Sequence, residues 1–128
     1  MKILRIIQFS TALAILSVSW CWAVSVEDKK GTPMIGCIKK VTVIPGKETE
    51  FERLFNELKA EMAIAEPGNV YYDLYASNEN SGNYIVMERY CDKAALTLHE
   101  QSAHGARFFP QLRALIAHLQ RDCFESID

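Results

Sequence analysis

The stretch that decides the fold class is NVYYDLYASNENSGNYIVMERYC, from Asn69 to Cys91. Two runs rich in β-branched and aromatic residues, 69–76 and 83–91, flank the polar segment SNENSG. This pattern predicts a β-hairpin, because strands favour those residue types and turns favour Ser, Asn and Gly. Alternation along the first run predicts two opposite faces, with Val70, Tyr72 and Leu74 on one and Tyr71, Asp73 and Tyr75 on the other.

Before the hairpin, the sequence predicts one strand and one helix. Residues 35–44, IGCIKKVTVI, are rich in β-branched residues and end at Pro45-Gly46. The predicted helix runs from about Lys47 to Ala65 and stops at Pro67-Gly68. Its apolar side chains recur at helical spacing and form one face: Phe51, Leu54, Phe55, Leu58 and Met62.

After the hairpin, Asp92 is well suited to cap the start of a second helix. Gly105 interrupts this helix, and a further helical stretch carries apolar residues from Phe108 to Leu119. The tail 121–127 is predicted as the last strand. The resulting order, β-α-β-β-α-β, is that of the ferredoxin-like α+β fold, whose antiparallel sheet has the strand order 4-1-3-2.

In this fold the helices cover one face of the sheet and leave the other face open. The predicted strands carry apolar or aromatic side chains on both faces. A bare apolar sheet face implies a partner, because large exposed apolar patches are rare on monomers. We therefore predict a homodimer that packs sheet face against sheet face.

Residues 1–23 have the pattern of a cleavable signal peptide. Lys2 and Arg5 precede an apolar run, and Cys21 and Ala23 favour cleavage after Ala23. An uncleaved anchor is the alternative, but polar residues interrupt the run and weaken a membrane span. We expect export to the periplasm or the outside, with no stable membrane anchor after cleavage. The remainder would be a mobile leader over 24–34 and one folded domain over 35–128.

Length and charge exclude several classes of function. The chain has 128 residues, is 49% hydrophobic and carries a formal net charge of −2. It is too short for a multidomain enzyme and too apolar for a disordered tail. Nucleic acid is not expected as a partner, because there is no basic excess to neutralise phosphates.

Removal of the signal peptide leaves Cys37, Cys91 and Cys123. Their spacing is too wide for a CxxC redox motif or a zinc knuckle, and no metal site is predicted. Two of them could pair in an oxidising compartment, or all three could be small buried hydrophobes. In the predicted topology the start of strand one lies opposite the end of strand three. Cys37 and Cys91 are therefore the best candidates for a disulfide, with Cys123 free.

Four features occur in order along the chain: Glu66-Pro67-Gly68, Tyr72-Asp73-Leu74-Tyr75, Met87-Glu88-Arg89-Tyr90, and His99 with His104. On this fold plan the series resembles the antibiotic biosynthesis monooxygenase family, and within it the small quinol monooxygenase-like proteins, over residues 35–128. The resemblance implies a dimeric α+β barrel with a pocket between sheet and helices in each subunit. Members that act on polycyclic phenols or haem use a pocket Trp, whereas both Trp residues here lie within 1–23. The resemblance therefore favours the quinol-like branch.

The resemblance implies a cofactor-independent monooxygenase that oxidises a quinol or related phenol with dioxygen. A phenol has a pKa of about 10, like Tyr, and its anion gives up an electron more readily than the neutral form. No cofactor is expected, because the substrate is itself the reductant. Two alternatives remain: a non-catalytic exported binding protein for a small aromatic ligand, and an isomerase that uses the same His as a proton shuttle.

Histidine is the natural candidate for the base, because it titrates near neutral pH. The resemblance falls on His99 and His104, and we prefer His104; its alternative role is a helix cap or a structural hydrogen bond. On one continuous helix these two residues would point about 140° apart, although Gly105 could redirect the chain. His118 is expected at the surface.

Glu88 is a charged residue in an apolar strand and is the third catalytic candidate. A buried carboxylate must be paired, and we expect Arg89, Arg107 or His104 as its partner. It would either orient a His or form a structural bridge.

Candidates for substrate binding are aromatic residues of the hairpin. Tyr72, Tyr75 and Tyr90 offer flat walls with a hydroxyl group that suit a phenolic ligand. Strand core and dimer interface are the ordinary alternative. Asn69 could hydrogen-bond a substrate oxygen, with a turn role after Gly68 as its alternative.

Overall fold

A computed structural model describes residues 31–127 of the chain. The predicted signal peptide, and the leader as far as residue 30, lie outside the described residues. The elements are β1 (Ile35–Val43), α1 (Glu48–Ala65), β2 (Asn69–Ala76), β3 (Asn83–Tyr90), α2 (Lys93–Glu100), α3 (Ala103–Ala114) and β4 (Ile116–Glu125). The sheet is antiparallel with the order β2-β3-β1-β4, which confirms the predicted ferredoxin-like α+β fold.

The core lies between α1 and one face of the sheet. The predicted apolar face of α1 is buried in full: Phe51, Leu54, Phe55, Leu58 and Met62. It packs with Tyr72, Tyr84 and Val86 of the hairpin and with Phe108 of α3. No helix among residues 31–127 is long and apolar enough to cross a membrane.

The C-terminal strand begins earlier than the sequence predicts. The apolar positions up to Leu119 fit a helix, but α3 ends at Ala114 and β4 begins at Ile116. The reason is tertiary, because β1 pairs with β4 from Ile35 opposite Glu125 to Val43 opposite Ile116. This long ladder outweighs the local helical preference.

The predicted alternation along β2 is wrong at Val70. Asn69 lies opposite Tyr90 and Tyr71 lies opposite Arg89, so Val70 is an extra residue in a β-bulge. Val70 is accordingly 47% exposed, whereas Tyr72 is buried on the helix-facing side.

The register places chemically important residues in two adjacent rows across the helix-facing side of the sheet. One row contains Tyr72, Glu88, Cys37 and Cys123, and the next contains Leu74, Val86, Lys39 and Arg121. Side chains directly opposite one another on neighbouring strands share a face and lie close together. The carboxylate of Glu88, the ammonium of Lys39 and the guanidinium of Arg121 therefore lie in one region of the sheet.

The disulfide pairing predicted from the sequence is wrong. Cys37 is bonded to Cys123, not to Cys91, and no cysteine among residues 31–127 is free. Cys37 and Cys123 are direct cross-strand partners with Cα atoms 4.1 Å apart. On the β3 side, Cys37 lies opposite Glu88, so Cys91 is three residues further along the chain, just beyond the end of β3. The sequence did not show that β4 would bring Cys123 into this register.

Candidate active site

A cavity of about 520 Å³ lies between the helices and the helix-facing side of the sheet. Its walls are mostly aromatic and aliphatic, and its polar groups are few. The lining comprises Lys39, Val41, Phe51, Phe55, Tyr72, Val86, His99, Glu100, Phe109, Pro110, Leu112, Arg113, Ile116, Leu119 and Arg121. Of the predicted site residues, Tyr72 and His99 reach this cavity. Such an apolar cleft with few convergent polar groups is typical of a small-molecule site.

His99 lies in a cage of aromatic rings at the cavity wall. Its side chain is 2% exposed, and its ring centroid lies 5.6 Å from that of Tyr72 and 5.3 Å from that of Tyr90. Phe109 meets the imidazole edge-on at 5.2 Å. These contacts hold the orientation of the ring, as a catalytic base requires.

Glu66 brings the two predicted histidines together. The Nδ1 atom of His99 lies 3.1 Å from each carboxylate oxygen of Glu66, and Nε2 of His104 contacts Oε1 of the same group. The two imidazoles converge because the helix breaks between them: α2 ends at Glu100 and α3 begins at Ala103. At the break, the hydroxyl of Ser102 accepts a hydrogen bond from the backbone N–H of Gly105 and caps α3.

The protonation of this cluster follows from its contacts. Burial raises the pKa of Glu66, but hydrogen bonds and charge interactions with His99 and His104 outweigh burial, so the pKa lies below its usual value. An ionised carboxylate only accepts hydrogen bonds, so Nδ1 of His99 must carry a hydrogen. In the neutral ring, Nε2 of His99 is then the proton acceptor. His104 is not among the residues that line the cavity.

Glu88 is fully buried, but its partners are not those that the sequence predicts. The ammonium of Lys39 lies 2.9 Å from Oε1, and the hydroxyl of Tyr90 donates a hydrogen bond of 2.8 Å to Oε2. Oε2 also lies 3.9 Å from Nε2 of His99. Arg89, Arg107 and His104 make no ion pair with Glu88. Its partners come from the same face of the sheet: Lys39 lies in the adjacent row of β1, and Tyr90 lies two residues along β3. Within residues 31–127, Oε1 has no hydrogen-bond partner, so its compensation is the charge of Lys39 at 2.9 Å and of Arg121 at 3.8 Å.

Two basic side chains extend from the sheet into the cavity wall. Lys39 and Arg121 lie directly opposite each other on β1 and β4. Arg121 bridges two carboxylates, because its Nη1 donates a hydrogen bond of 2.7 Å to Glu100 and its Nε lies 3.8 Å from Glu88. The ammonium of Lys39 also lies 5.5 Å from the centre of the Tyr72 ring. The cavity therefore combines apolar walls with two ion-paired basic side chains.

The structure separates the other predicted binding residues. Tyr72 lines the cavity and stacks on Phe55 with ring centroids 4.8 Å apart, whereas Tyr90 lies behind His99 and is fully buried. Burial and the charge of Glu88 raise the pKa of both tyrosines well above the usual value. Tyr75 is 52% exposed and does not reach the cavity.

Two further predicted residues have contacts away from the cavity. The Asn69 side chain donates hydrogen bonds to the backbone carbonyls of Tyr71 and Arg89, so it supports the bulge in β2. His118 is exposed, as predicted from the sequence.

Sequence reasoning did not select Glu66, Lys39, Phe109 or Arg121 as site residues. Glu66 follows α1 directly and precedes Pro67-Gly68, and this position at a helix end was a usable signal. Lys39 also carried a signal, as a charged residue at the centre of a strand rich in β-branched residues. Arg121 could not be placed without the register of β4.

Comparisons with known proteins agree with this architecture. The antibiotic biosynthesis monooxygenase family model matches residues 34–111. The "Putative monooxygenase YcnE" of Bacillus subtilis is 29% identical over 77 residues, which cover 60% of this chain and 80% of that protein.

Solved structures show the same likeness. A "putative antibiotic biosynthesis monooxygenase" from Caulobacter crescentus is 28% identical with a TM-score of 0.72, covering 76% of this chain and 92% of that one. PA3566 from Pseudomonas aeruginosa is 29% identical with a TM-score of 0.67, covering 78% and 99%. The family model spans more than half of the chain. The chain therefore belongs to the antibiotic biosynthesis monooxygenase family.

Proposed function

We propose that this protein is a cofactor-independent monooxygenase that oxidises a quinol or related phenol with dioxygen, with His99 as the base. The observation that carries the proposal is the position of His99. It is the histidine that lines the apolar cavity within residues 31–127, and Glu66 orients it through Nδ1. A base must reach the proton that it removes, and this geometry favours His99 over His104.

The proposed reaction starts with transfer of a hydroxyl proton from the quinol to Nε2 of His99. The resulting anion gives one electron to dioxygen, and the two radicals combine to form a carbon–oxygen bond. The proton held by His99 returns to the outer oxygen atom and gives a hydroperoxide. The C–H bond at the same ring carbon then breaks, its electron pair forms the new C=O bond as the O–O bond breaks, and the released proton joins the departing hydroxide to form water. A naphthoquinol and one dioxygen thus yield a hydroxynaphthoquinone and one water, with the electrons supplied by the substrate.

The charges around the cavity support the anionic step. When His99 accepts a proton, the imidazolium lies between two carboxylates, Glu66 at 3.1 Å and Glu88 at 3.9 Å. Lys39 and Arg121, each paired with a carboxylate, place an ammonium and a guanidinium group at the wall where a quinolate would bind. Preorganised charges of this kind stabilise developing charge more strongly in a water-poor cavity than in water.

The test is dioxygen consumption by the purified protein with a reduced naphthoquinol in metal-chelated buffer. Heat-inactivated protein controls for unaided oxidation of the quinol. We expect His99→Gln to lower the protein-dependent rate by about 100-fold or more. His118→Gln is the matched control and keeps the full rate, because His118 is exposed and outside the cavity. With ¹⁸O-labelled dioxygen, one labelled oxygen atom should enter the product.

Three other outcomes would overturn the proposal in distinct ways. Hydrogen peroxide in place of labelled product would indicate an oxidase. Saturable binding of aromatic compounds without turnover would indicate an exported binding protein. Turnover that is independent of dioxygen would indicate an isomerase.

We further propose that the protein acts as an exported homodimer. The open face of the sheet carries exposed apolar side chains, including Ile38, Tyr75 and Phe124, and a second copy would cover them. The Cys37–Cys123 disulfide supports a periplasmic or secreted location, because disulfides persist in oxidising compartments.

A further inference from the structure

We propose that His104 is a positioning residue that controls the proton affinity of His99 through the carboxylate that the two imidazoles share. The three residues Glu66, His99 and His104 are called the Glu66 cluster below. The proposal gives a role to a histidine that lies outside the cavity, and it rests on the proposed function only in taking His99 as the base.

The carboxylate of Glu66 is shared by the two imidazole rings. His99 is equidistant, at 3.1 Å, from both oxygens of Glu66, and His104 contacts Oε1. The negative charge of Glu66 is therefore the counter-charge for two imidazole rings, each of which can be protonated. Protonation of His104 neutralises most of the field of Glu66 at His99, so the two rings compete for one counter-charge.

All three side chains of the Glu66 cluster are shielded from water. The side chains of His99, Glu66 and His104 are 2%, 7% and 10% exposed. Charges that are shielded from water interact over the distances in this cluster with little screening. Coupling between the two histidines should therefore be larger than for a pair at the surface.

The other charged and titratable groups around His99 act as a fixed background. They are Glu88 and Tyr90 on β3, Tyr72 on β2, Lys39 on β1, and Glu100, Arg113 and Arg121 at the cavity wall. Glu88 offsets Lys39, and Glu100 offsets Arg121. Burial and neighbouring carboxylates raise the pKa of both tyrosines, which keeps them neutral. Besides His99, the titratable group in contact with Glu66 is His104.

The consequence is a proton balance within the cluster. When His99 gains a proton from the substrate, a His104 ring that carries two protons can release the one on Nδ1 and keep its Nε2–H bond to Glu66. The net charge of the cluster then stays constant during the step. His104 is suited to this exchange because it is the most exposed of the three side chains.

The test is an NMR titration of the ¹⁵N-labelled full chain, which follows the ring nitrogens of each histidine from pH 4 to pH 9. In the wild type we expect His99 and His104 to titrate in two coupled steps. In His104→Gln, we expect His99 to titrate in a single step, with its apparent pKa raised by about one unit, because Glu66 is no longer shared. His118→Gln is the matched control and leaves both curves unchanged.

A double-mutant cycle with Glu66→Gln tests whether the coupling acts through the shared carboxylate. In Glu66→Gln the shared charge is absent, so adding His104→Gln should shift the His99 curve by less than about 0.2 units. If Glu66→Gln does not fold, the comparison of His104→Gln with His118→Gln decides alone. The proposal is overturned if the wild-type histidines titrate independently, or if His104→Gln moves the His99 curve no more than the control does.

The titration needs no substrate, so the two proposals fail separately. Coupled titration without dioxygen uptake would overturn the proposed monooxygenase activity and support the role of His104. Dioxygen uptake with independent titration would support the activity and overturn the role of His104. If both stand, His104→Gln should shift the pH–rate profile of turnover to higher pH by the amount seen in the His99 titration.

Discussion

The ammonium of Lys39 lies 2.9 Å from Oε1 of Glu88, and this carboxylate is completely buried. The two residues are on neighbouring strands and belong to adjacent rows of the sheet. Removing one member of a buried ion pair leaves an uncompensated charge, which costs more than the pair contributes when intact. The pair therefore links the stability of the sheet to the chemistry of the cavity wall.

From this relationship we expect Lys39→Met to lower the free energy of unfolding by about 3 kcal/mol at pH 7. Urea denaturation followed by circular dichroism measures the change. Lys40→Met is the matched control, because Lys40 is the next residue, faces the other side of the sheet and is exposed. Equal effects of the two substitutions would show that Glu88 does not depend on Lys39.

The disulfide should contribute a large share of the stability. Cys37 and Cys123 are 86 residues apart in sequence, so the bond closes most of the folded domain into one loop. On the chain-entropy account, a loop of this length gives about 4.5 kcal/mol. We expect the double variant Cys37→Ala with Cys123→Ala to lose about this amount in urea denaturation. A loss below about 1 kcal/mol would contradict the prediction.

Glu66 should make stability depend on acidity in a defined direction. The folded-state pKa of Glu66 lies below its usual value of 4.5, so the contribution of this group is present above pH 4.5. It is lost as the pH falls through the folded-state pKa, because the unfolded chain binds the proton first. We therefore expect the stability gap between the wild type and Glu66→Gln to be widest near pH 6 and to narrow below pH 4.5. Thermal unfolding at a series of pH values measures it, and a gap that widens in acid would refute this assignment.

Gly105 should resist substitution in spite of its helical position. An added Cβ would lie 2.5 Å from the Phe109 ring and 2.7 Å from Oγ of Ser102, which caps α3. Alanine normally improves a helix interior by about 1 kcal/mol. Here we expect Gly105→Ala to destabilise the protein by about 1–2 kcal/mol, because the ring and the cap must move.

The second variant for this site is Phe109→Leu in the Gly105→Ala background. It should recover part of the loss, since the shorter side chain leaves room for the new methyl group. Thermal melts of both variants provide the measurement. A stabilising Gly105→Ala would show that the Phe109 ring shifts freely.

The proposed dimer predicts a specific effect on oligomeric state. Ile38 is 37% exposed at the centre of the open sheet face, opposite Met87. We expect Ile38→Asp to convert the dimer to a monomer in sedimentation velocity experiments. Ile64→Asp is the control, because Ile64 is 89% exposed on α1, away from the sheet face. A wild-type protein that sediments as a monomer would exclude the dimer.

The fold could be predicted from the sequence because its signals are local. The apolar face of α1, the turn residues between β2 and β3, and the Asp92 cap each depend on neighbours within a few positions. Asp92 does accept a hydrogen bond of 2.7 Å from the backbone N–H of Ala95. The start of β4 and the bulge at Val70 depend on pairing with distant strands, and the sequence misplaced both.

The site was harder to predict because its members meet only in three dimensions. His99 and His104 were identified, but the carboxylate that joins them lies 33 residues before His99. The partner of Glu88 comes from β1, on the far side of α1 in sequence. Long-range register also decides the disulfide. Cys37 lies on a strand between β3 and β4, and the residue opposite it is Glu88 on β3 and Cys123 on β4.

The covalent bond between Cys37 and Cys123 also bears on assembly. β4 is an edge strand at the C-terminal end of the chain, a position from which strands are commonly exchanged between identical subunits. Once the bond has formed, β4 is fastened to β1 of its own chain. Domain swapping through this strand is then closed as a route to dimers. A dimer of the proposed kind would then form from subunits whose sheets already contain β4, so oxidation would precede assembly.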